Sequence, residues 1–178
     1  MKRIFQDSAF IDASEQEIPR PKNKRRRKSY YSGKKKKHTV KTQYMVNGDG
    51  LILHRSNHQK VRKDGYTIFK ENHPKVPKDV ERYVDLGYKG VQRDFPEAKW
   101  VIPIKKKKRK RNLARKEERY NRRIARKRVK VEHTISRVKK FNIMGNRFRN
   151  RLRHYDNASN IVCGLVNFRT MRSKGIML

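Results

Sequence analysis

The stretch HTVKTQYMVNGDGLIL (38–53) limits the fold more than any other part of the chain. From His38 to Val46 its residues alternate. Val40, Thr42, Tyr44 and Val46 share one face, and Thr39, Lys41 and Gln43 lie on the other. Successive side chains of a strand point to opposite faces, so this period of two is a strand signature. Asn47-Gly48-Asp49-Gly50 then marks a turn, and Leu51-Ile52-Leu53 resumes the apolar character. The spacing predicts a β-hairpin.

Other elements gather around it. Phe10-Ile11-Asp12-Ala13 is a short apolar stretch ahead of Ile18-Pro19-Arg20-Pro21. Residues 57–82 read as loop and short helix, broken by Pro74 and Pro77. RYVDLGYKG (82–90) reads as a short strand running into a glycine-bounded turn. KWVIPI (99–104) is a further strand, with Pro103 favouring an edge or strand end. A long helix is expected from about 113 to 140, free of Gly and Pro, with Ile124, Val131, Ile135 and Val138 as one apolar stripe. A last amphipathic helix, about 156–172, is expected to be capped by Asp156 and to carry Ile161, Leu165 and Phe168. The order of strand, hairpin, mixed segment, strand, strand, helix, helix suits an α/β domain with a mixed sheet. One domain, 1–178, is expected, with basic loops at 22–37 and 105–111.

Charge sets the partner. Lys and Arg number 51 against 16 acids, for a net charge of +35. Such a charge opposes compaction and calls for a polyanion, nucleic acid first. With only 34% hydrophobic residues, part of the chain is expected to order on its partner. A single cysteine, Cys163, excludes an intrachain disulfide and reads as a packed thiol in a reducing compartment. No apolar run approaches a membrane span, Met1-Lys2-Arg3 leads into no apolar signal segment, and zinc-finger spacing is absent. His54 and His58 stand four apart without acidic or Cys neighbours and are not read as ligands. Trp100 reads as packing on the sheet. Tyr30, Tyr31 and Tyr88 adjoin basic or acidic segments and have base stacking as an alternative to packing.

Few carboxylates stand among so many bases. RVKVEHTISRVKKF (128–141) holds one acid, Glu132, among five Arg and Lys. Taken alone, such an acid reads as a helix-surface ion pair with Arg128, worth about 0.3–0.5 kcal/mol. Hard cations also take carboxylate oxygen, and two-metal phosphodiester chemistry needs several such oxygens on rigid elements. Asp12 in the first apolar stretch, Asp85 after Tyr83-Val84 and Glu132 on the long helix suit that role. Arg128, Glu132 and Lys139 share a helix face, so bases stand beside the acid.

FIDASEQEIPRPK (10–22), YYSGKKKKHTVKTQ (30–43), VDLGYKG (84–90), VEHTISRVKKFNIMGNRFRNR (131–151) and IVCGLVNFR (161–169) resemble the catalytic part of a DDE-type insertion-sequence transposase. The resemblance covers nearly the whole chain. It implies a ribonuclease-H-like mixed sheet flanked by helices. It also implies a Mg²⁺-dependent site, probed with Mn²⁺, of two ions held by Asp12, Asp85 and Glu132. Arg128 and Lys139 match the basic positions four before and seven after the family's helix Glu. Ala125 stands where the family often has Tyr, and Lys63-Asp64 where it has His-Asp, which leaves the role of Asp64 open.

The expected activity is cleavage of DNA and strand transfer, in a prokaryotic cytoplasm at the nucleoid. Lys34, Lys35, Lys36, Lys105, Lys106, Lys107 and Arg109 are expected to contact DNA phosphates, as does the tract KNKRRRK (22–28). The family usually carries an N-terminal helical region that recognises the element's ends. Here only about a dozen residues precede Asp12, so a separately encoded N-terminal portion is an expected partner, with a homodimer in the DNA complex. The alternative is a non-catalytic basic nucleic-acid-binding protein, a transposase remnant. Metal-dependent cleavage separates the two.

Overall fold

The structure is a computed structural model that describes residues 7–72, 74–106 and 113–176. Its strands are β1 (Ser8–Glu17), β2 (Tyr31–Ser32), β3 (Lys37–Asn47), β4 (Ile52–Arg55), β5 (Gln59–Lys60), β6 (Glu81–Tyr83) and β7 (Trp100–Val101). Its helices are α1 (Lys24–Tyr30), α2 (Gly65–Asn72), α3 (Val91–Asp94), α4 (Arg115–Lys139), α5 (Asn142–Gly145) and α6 (Tyr155–Ser173). β1 runs antiparallel to β3, with Ala9 to Glu17 facing Asn47 to Thr39. β2, β4 and β5 also pair with β3. Across β1 lies β6, parallel to it, and then β7, parallel to β6. This mixed α/β sheet of seven strands flanked by helices is compatible with a ribonuclease-H-like fold.

The hairpin forms where the alternation places it. At its turn the Asn47 carboxamide oxygen accepts from the amides of Asp49 and Leu51, both at 2.9 Å, and Gly50 takes φ +86°. Asn supplies the local acceptor and Gly the left-handed backbone, which is why turns select them. Both faces of β3 are covered. Val40, Tyr44 and Val46 join Phe10 and Tyr83 beneath α4 and α6. Met45 joins Ala9, Ile11, Phe69, Val80, Val84, Tyr88 and Val91 on the opposite face. There Gln43 is buried and donates from Nε2 to the Gly65 carbonyl at 2.8 Å and to the Tyr88 hydroxyl.

α4 presents Ile124, Val131, Ile135 and Val138 to the core, the stripe read from its spacing. Trp100 packs among Phe69 and Phe95 and donates to the Phe95 carbonyl at 3.0 Å. Cys163 is buried. Among the described residues no helix is long and apolar enough to cross a membrane.

Three expectations are corrected. The basic segment 22–37 is not a loop throughout, since it holds α1 and β2. Asn23 caps α1 by accepting from the Arg26 amide at 3.1 Å, and Tyr30 anchors the helix in the core while Lys24, Arg25, Arg26 and Lys28 face solvent. α6 turns its other face inward. Ile161, Leu165 and Phe168 are exposed, and Ser159, Val162, Cys163, Val166 and Thr170 are buried. Small side chains there let the helix lie close to the core. Asp156 does not cap α6, whose cap position, His154, makes no side-chain cap bond. Its carboxylate instead takes the Arg55 guanidinium at 2.8 Å, the His58 amide at 2.8 Å and His58 Nδ1 at 2.7 Å.

Candidate active site

β1 alternates across the sheet. Ala9 and Ile11 face one core cluster, and Phe10 faces the other, stacked on Tyr83 with ring centroids 4.9 Å apart. Asp12, two residues past Phe10, is therefore on the face covered by α4. β6 pairs with β1 in parallel, Phe10 level with Tyr83. The same offset carried two residues on brings Asp85 level with Asp12. Strand pairing has ended there, and the chain enters a 3₁₀ turn, Leu86–Tyr88. Asp85 caps that turn, its Oδ1 accepting from the Gly87 amide at 2.8 Å. Glu132 approaches from α4, exposed to solvent.

The Asp12 carboxyl is held above the usual aspartate range. Burial is the largest cause. The Ala13 amide (2.8 Å) and the Arg128 guanidinium (3.7 Å) pull it down, while the charges of Asp85 and Glu132 push it up. Like charges in one site disfavour joint ionisation. Asp12 is thus the carboxylate that senses both others. The three do not close around a single point: among the described residues no three His, Cys, Asp or Glu side chains gather at one metal-sized spot. Arg128 is largely covered, and its Nε is buried with no hydrogen-bond partner among the described residues. It turns to Asp12. Glu132 makes no ion pair among the described residues, so the helix pair expected from spacing is not formed.

Lys139 stands nearby. Desolvation lowers its ammonium below the ordinary lysine range, Lys35 adds to this, and Glu15 and Asp12 oppose it. Lys35 itself donates to the Glu15 carbonyl at 3.1 Å. Two of the basic residues singled out from the sequence therefore meet beside β1. Lys34 and Lys36 are exposed in the turn before β3, and Lys105 and Lys106 are exposed after β7. Lys107 and Arg109 lie outside the described residues.

Other residues find different uses. Asp64 caps α2, accepting from the Thr67 amide and hydroxyl, both at 2.8 Å. Tyr30 and Tyr88 are buried, which removes them as stacking surfaces; Tyr31 is not buried. Gly87 was legible only as part of a turn, yet its amide holds Asp85. The Arg55–Asp156–His58 cluster joins residues about a hundred positions apart and has no local signal.

Three carboxylates on three separate elements thus stand within electrostatic reach of one another, with Arg128 and Lys139 beside Asp12. Residues 11–167 match the family model of the DDE superfamily endonucleases. The chain belongs to the DDE endonuclease superfamily. A probable transposase for insertion sequence element IS702 of Microchaete diplosiphon is 35% identical over 158 residues, covering 89% of this chain and 55% of that protein. The chain thus spans about half of that relative's length. No solved structure matches it. Asp12, Asp85 and Glu132 all fall inside the stretch matched by the DDE model.

Proposed function

We propose that this DDE endonuclease chain cuts DNA phosphodiesters with divalent cations held by Asp12, Asp85 and Glu132, and joins the freed 3′ end to target DNA. The observation that carries this reading is Asp12: a desolvated carboxyl pushed up by two further carboxylates on separate elements. All-oxygen donors of this kind suit Mg²⁺ or Mn²⁺. When bound, a pair of such ions activates the attacking oxygen and neutralises charge at the leaving oxygen.

The chain's own residues do the rest. Asp12, which senses both other acids, would hold the cations together with Asp85 and Glu132. Arg128 and Lys139 hold phosphate oxygens beside them. The Gly87 amide fixes one oxygen of Asp85 and leaves the other for a cation. In the first step water adds to phosphorus and the bond to the 3′ oxygen breaks, leaving a 3′-OH and a 5′-phosphate. In the second, that 3′-OH attacks the phosphorus of a target phosphodiester, the target's bond from phosphorus to its 3′ oxygen breaks, and that oxygen leaves as a new 3′-OH with the proton of the attacking hydroxyl. The net charge of +35 supports DNA as the partner, as does the likeness to a probable transposase. A cytoplasmic, nucleoid-associated protein follows from that partner.

Nicking of supercoiled plasmid tests this. The parent chain in Mg²⁺ is expected to leave nicks that a polymerase extends from a 3′-OH. Asp85→Asn is expected to lose at least about 100-fold in rate, the scale at which one misplaced catalytic group acts. Equal nicking by the two proteins would overturn the assignment.

A further inference from the structure

A cavity lies away from the carboxylates, at the start of β3. It measures about 420 Å³ and is lined by Arg20, Arg27, Lys28, Tyr31, His38 and Arg62. That is within the roughly 300–1,000 Å³ of small-ligand sites. No acid lines it. Two adjacent tyrosines part company here: Tyr30 ends α1 inside the core at 7% exposure, and Tyr31 opens β2 at 45%. Tyr31 and His38 are cross-strand partners, their rings 5.6 Å apart and inclined at 69°. The two rings form a corner, and much of Tyr31 remains open to solvent. Arg27 donates from Nη2 to the Lys22 carbonyl at 3.0 Å, while its Nε is buried without a hydrogen-bond partner among the described residues.

We propose that this cavity seats a nucleobase of a DNA strand splayed from its complement, stacked on Tyr31 and flanked by phosphates on the four cations. An exposed aromatic ring among Arg and Lys is the composition that binds single strands: the rings take base faces and the cations take the backbone. A paired base cannot enter, because its faces are covered by its neighbours. An acidic peptide would satisfy the charges but has no use for the ring.

The sheet sets the distance to the carboxylates. Asp12 pairs with Tyr44, and His38 lies six residues earlier on β3, just past the Glu17–Thr39 pair. At about 3.4 Å per residue that is roughly 20 Å. A strand pulled out of the duplex spans more per nucleotide than the roughly 3.4 Å of B-DNA, so a few nucleotides cover it. The inference rests on DNA being the substrate, and it places an unpaired base a few nucleotides from the cleavage point.

The test is binding without metal, by fluorescence anisotropy. The probes are a single-stranded oligothymidylate and an abasic deoxyribose-phosphate strand of equal length. Tyr31→Ala is expected to weaken the thymidylate roughly 5- to 150-fold, the range of one stacked base, and to leave the abasic strand unchanged. Tyr31→Phe is expected to bind both like the parent, which separates loss of the ring from loss of folding. A strand carrying 2-aminopurine is expected to lose fluorescence on binding the parent. Equal effects of Tyr31→Ala on both strands, or none on either, would overturn the proposal. If the parent then fails to nick plasmid, the catalytic reading falls alone. If it nicks while Tyr31→Ala binds both strands normally, the base pocket falls alone.

Discussion

Arg128 on α4 reaches Asp12 on β1, guanidinium to carboxylate at 3.7 Å, while Glu132, one turn further along the same helix, makes no ion pair among the described residues. The distance is longer than a hydrogen bond, and the Arg128 Nε has no partner among the described residues. Asp12 is consequently under-compensated. Burial and two neighbouring acids outweigh Arg128 and the Ala13 amide.

Asp12→Asn should therefore raise stability in the absence of metal. A carboxyl whose folded pKa lies above its unfolded value of about 3.9 imposes a penalty at neutral pH, relieved as pH falls through the folded pKa. The variant is expected to melt above the parent at pH 7, with the gap closing towards pH 4. Thermal unfolding in chelator across that range checks it. A variant that melts below the parent at pH 7 would contradict the strained carboxyl.

The reverse sign applies to Asp156. Burial raises its carboxyl, but the Arg55 guanidinium and the His58 amide and ring outweigh it, so the net shift is downward. Its contribution is present above the unfolded pKa and is lost as pH falls through the lower folded one. Asp156→Ala removes the carboxylate from the Arg55 guanidinium, whose side chain is 5% exposed and which keeps Asn160 Oδ1 and the Ser56 carbonyl, and should cost about 2 kcal/mol at pH 7. Urea unfolding should show this difference shrinking below about pH 4.

Much of the architecture was legible because it is periodic. The β3–β4 hairpin follows from two-residue alternation and Asn47, and the α4 stripe from helical spacing. α1 was hidden because a run of Arg and Lys looks like a solvated loop; what makes it a helix is the Asn23 cap and one buried tyrosine. α6 misleads by size. Ile161, Leu165 and Phe168 outweigh Ser159, Cys163 and Thr170 in any hydropathy count, yet the smaller residues allow close approach. The level placement of Asp12 and Asp85 depends on a parallel pairing across more than seventy residues, which no local pattern encodes.

Gly87 ties backbone to carboxylate. A Cβ there would stand 3.0 Å from Asp85 Oδ1, closer than a side chain tolerates without a shift. Gly87→Ala is expected to displace Asp85 and slow nicking about 10- to 100-fold with little change in melting temperature. A loss of activity matched by a large loss of stability would point to a folding defect instead.

The lysines before β3 give a salt signature. Lys34, Lys35 and Lys36 all stand exposed. Replacing the three by Gln should flatten the slope of log K against log[salt] by about 2–3, at roughly 0.9 per phosphate contact. Anisotropy on duplex DNA from 50 to 300 mM salt reads it. An unchanged slope would show these side chains idle in solvent.

Binding of Mn²⁺ without DNA tests the carboxylate site most directly, because it needs neither turnover nor the correct DNA sequence. Electron paramagnetic resonance reports the free ion during titration. The parent should deplete it, Asp12→Asn should leave nearly all of it free, and Glu132→Gln should bind more weakly than the parent. Arg128→Gln should retain binding, since Arg128 repels the cation and serves phosphate. Depletion by Asp12→Asn equal to that of the parent would contradict the assignment of Asp12, and with it the three-carboxylate site.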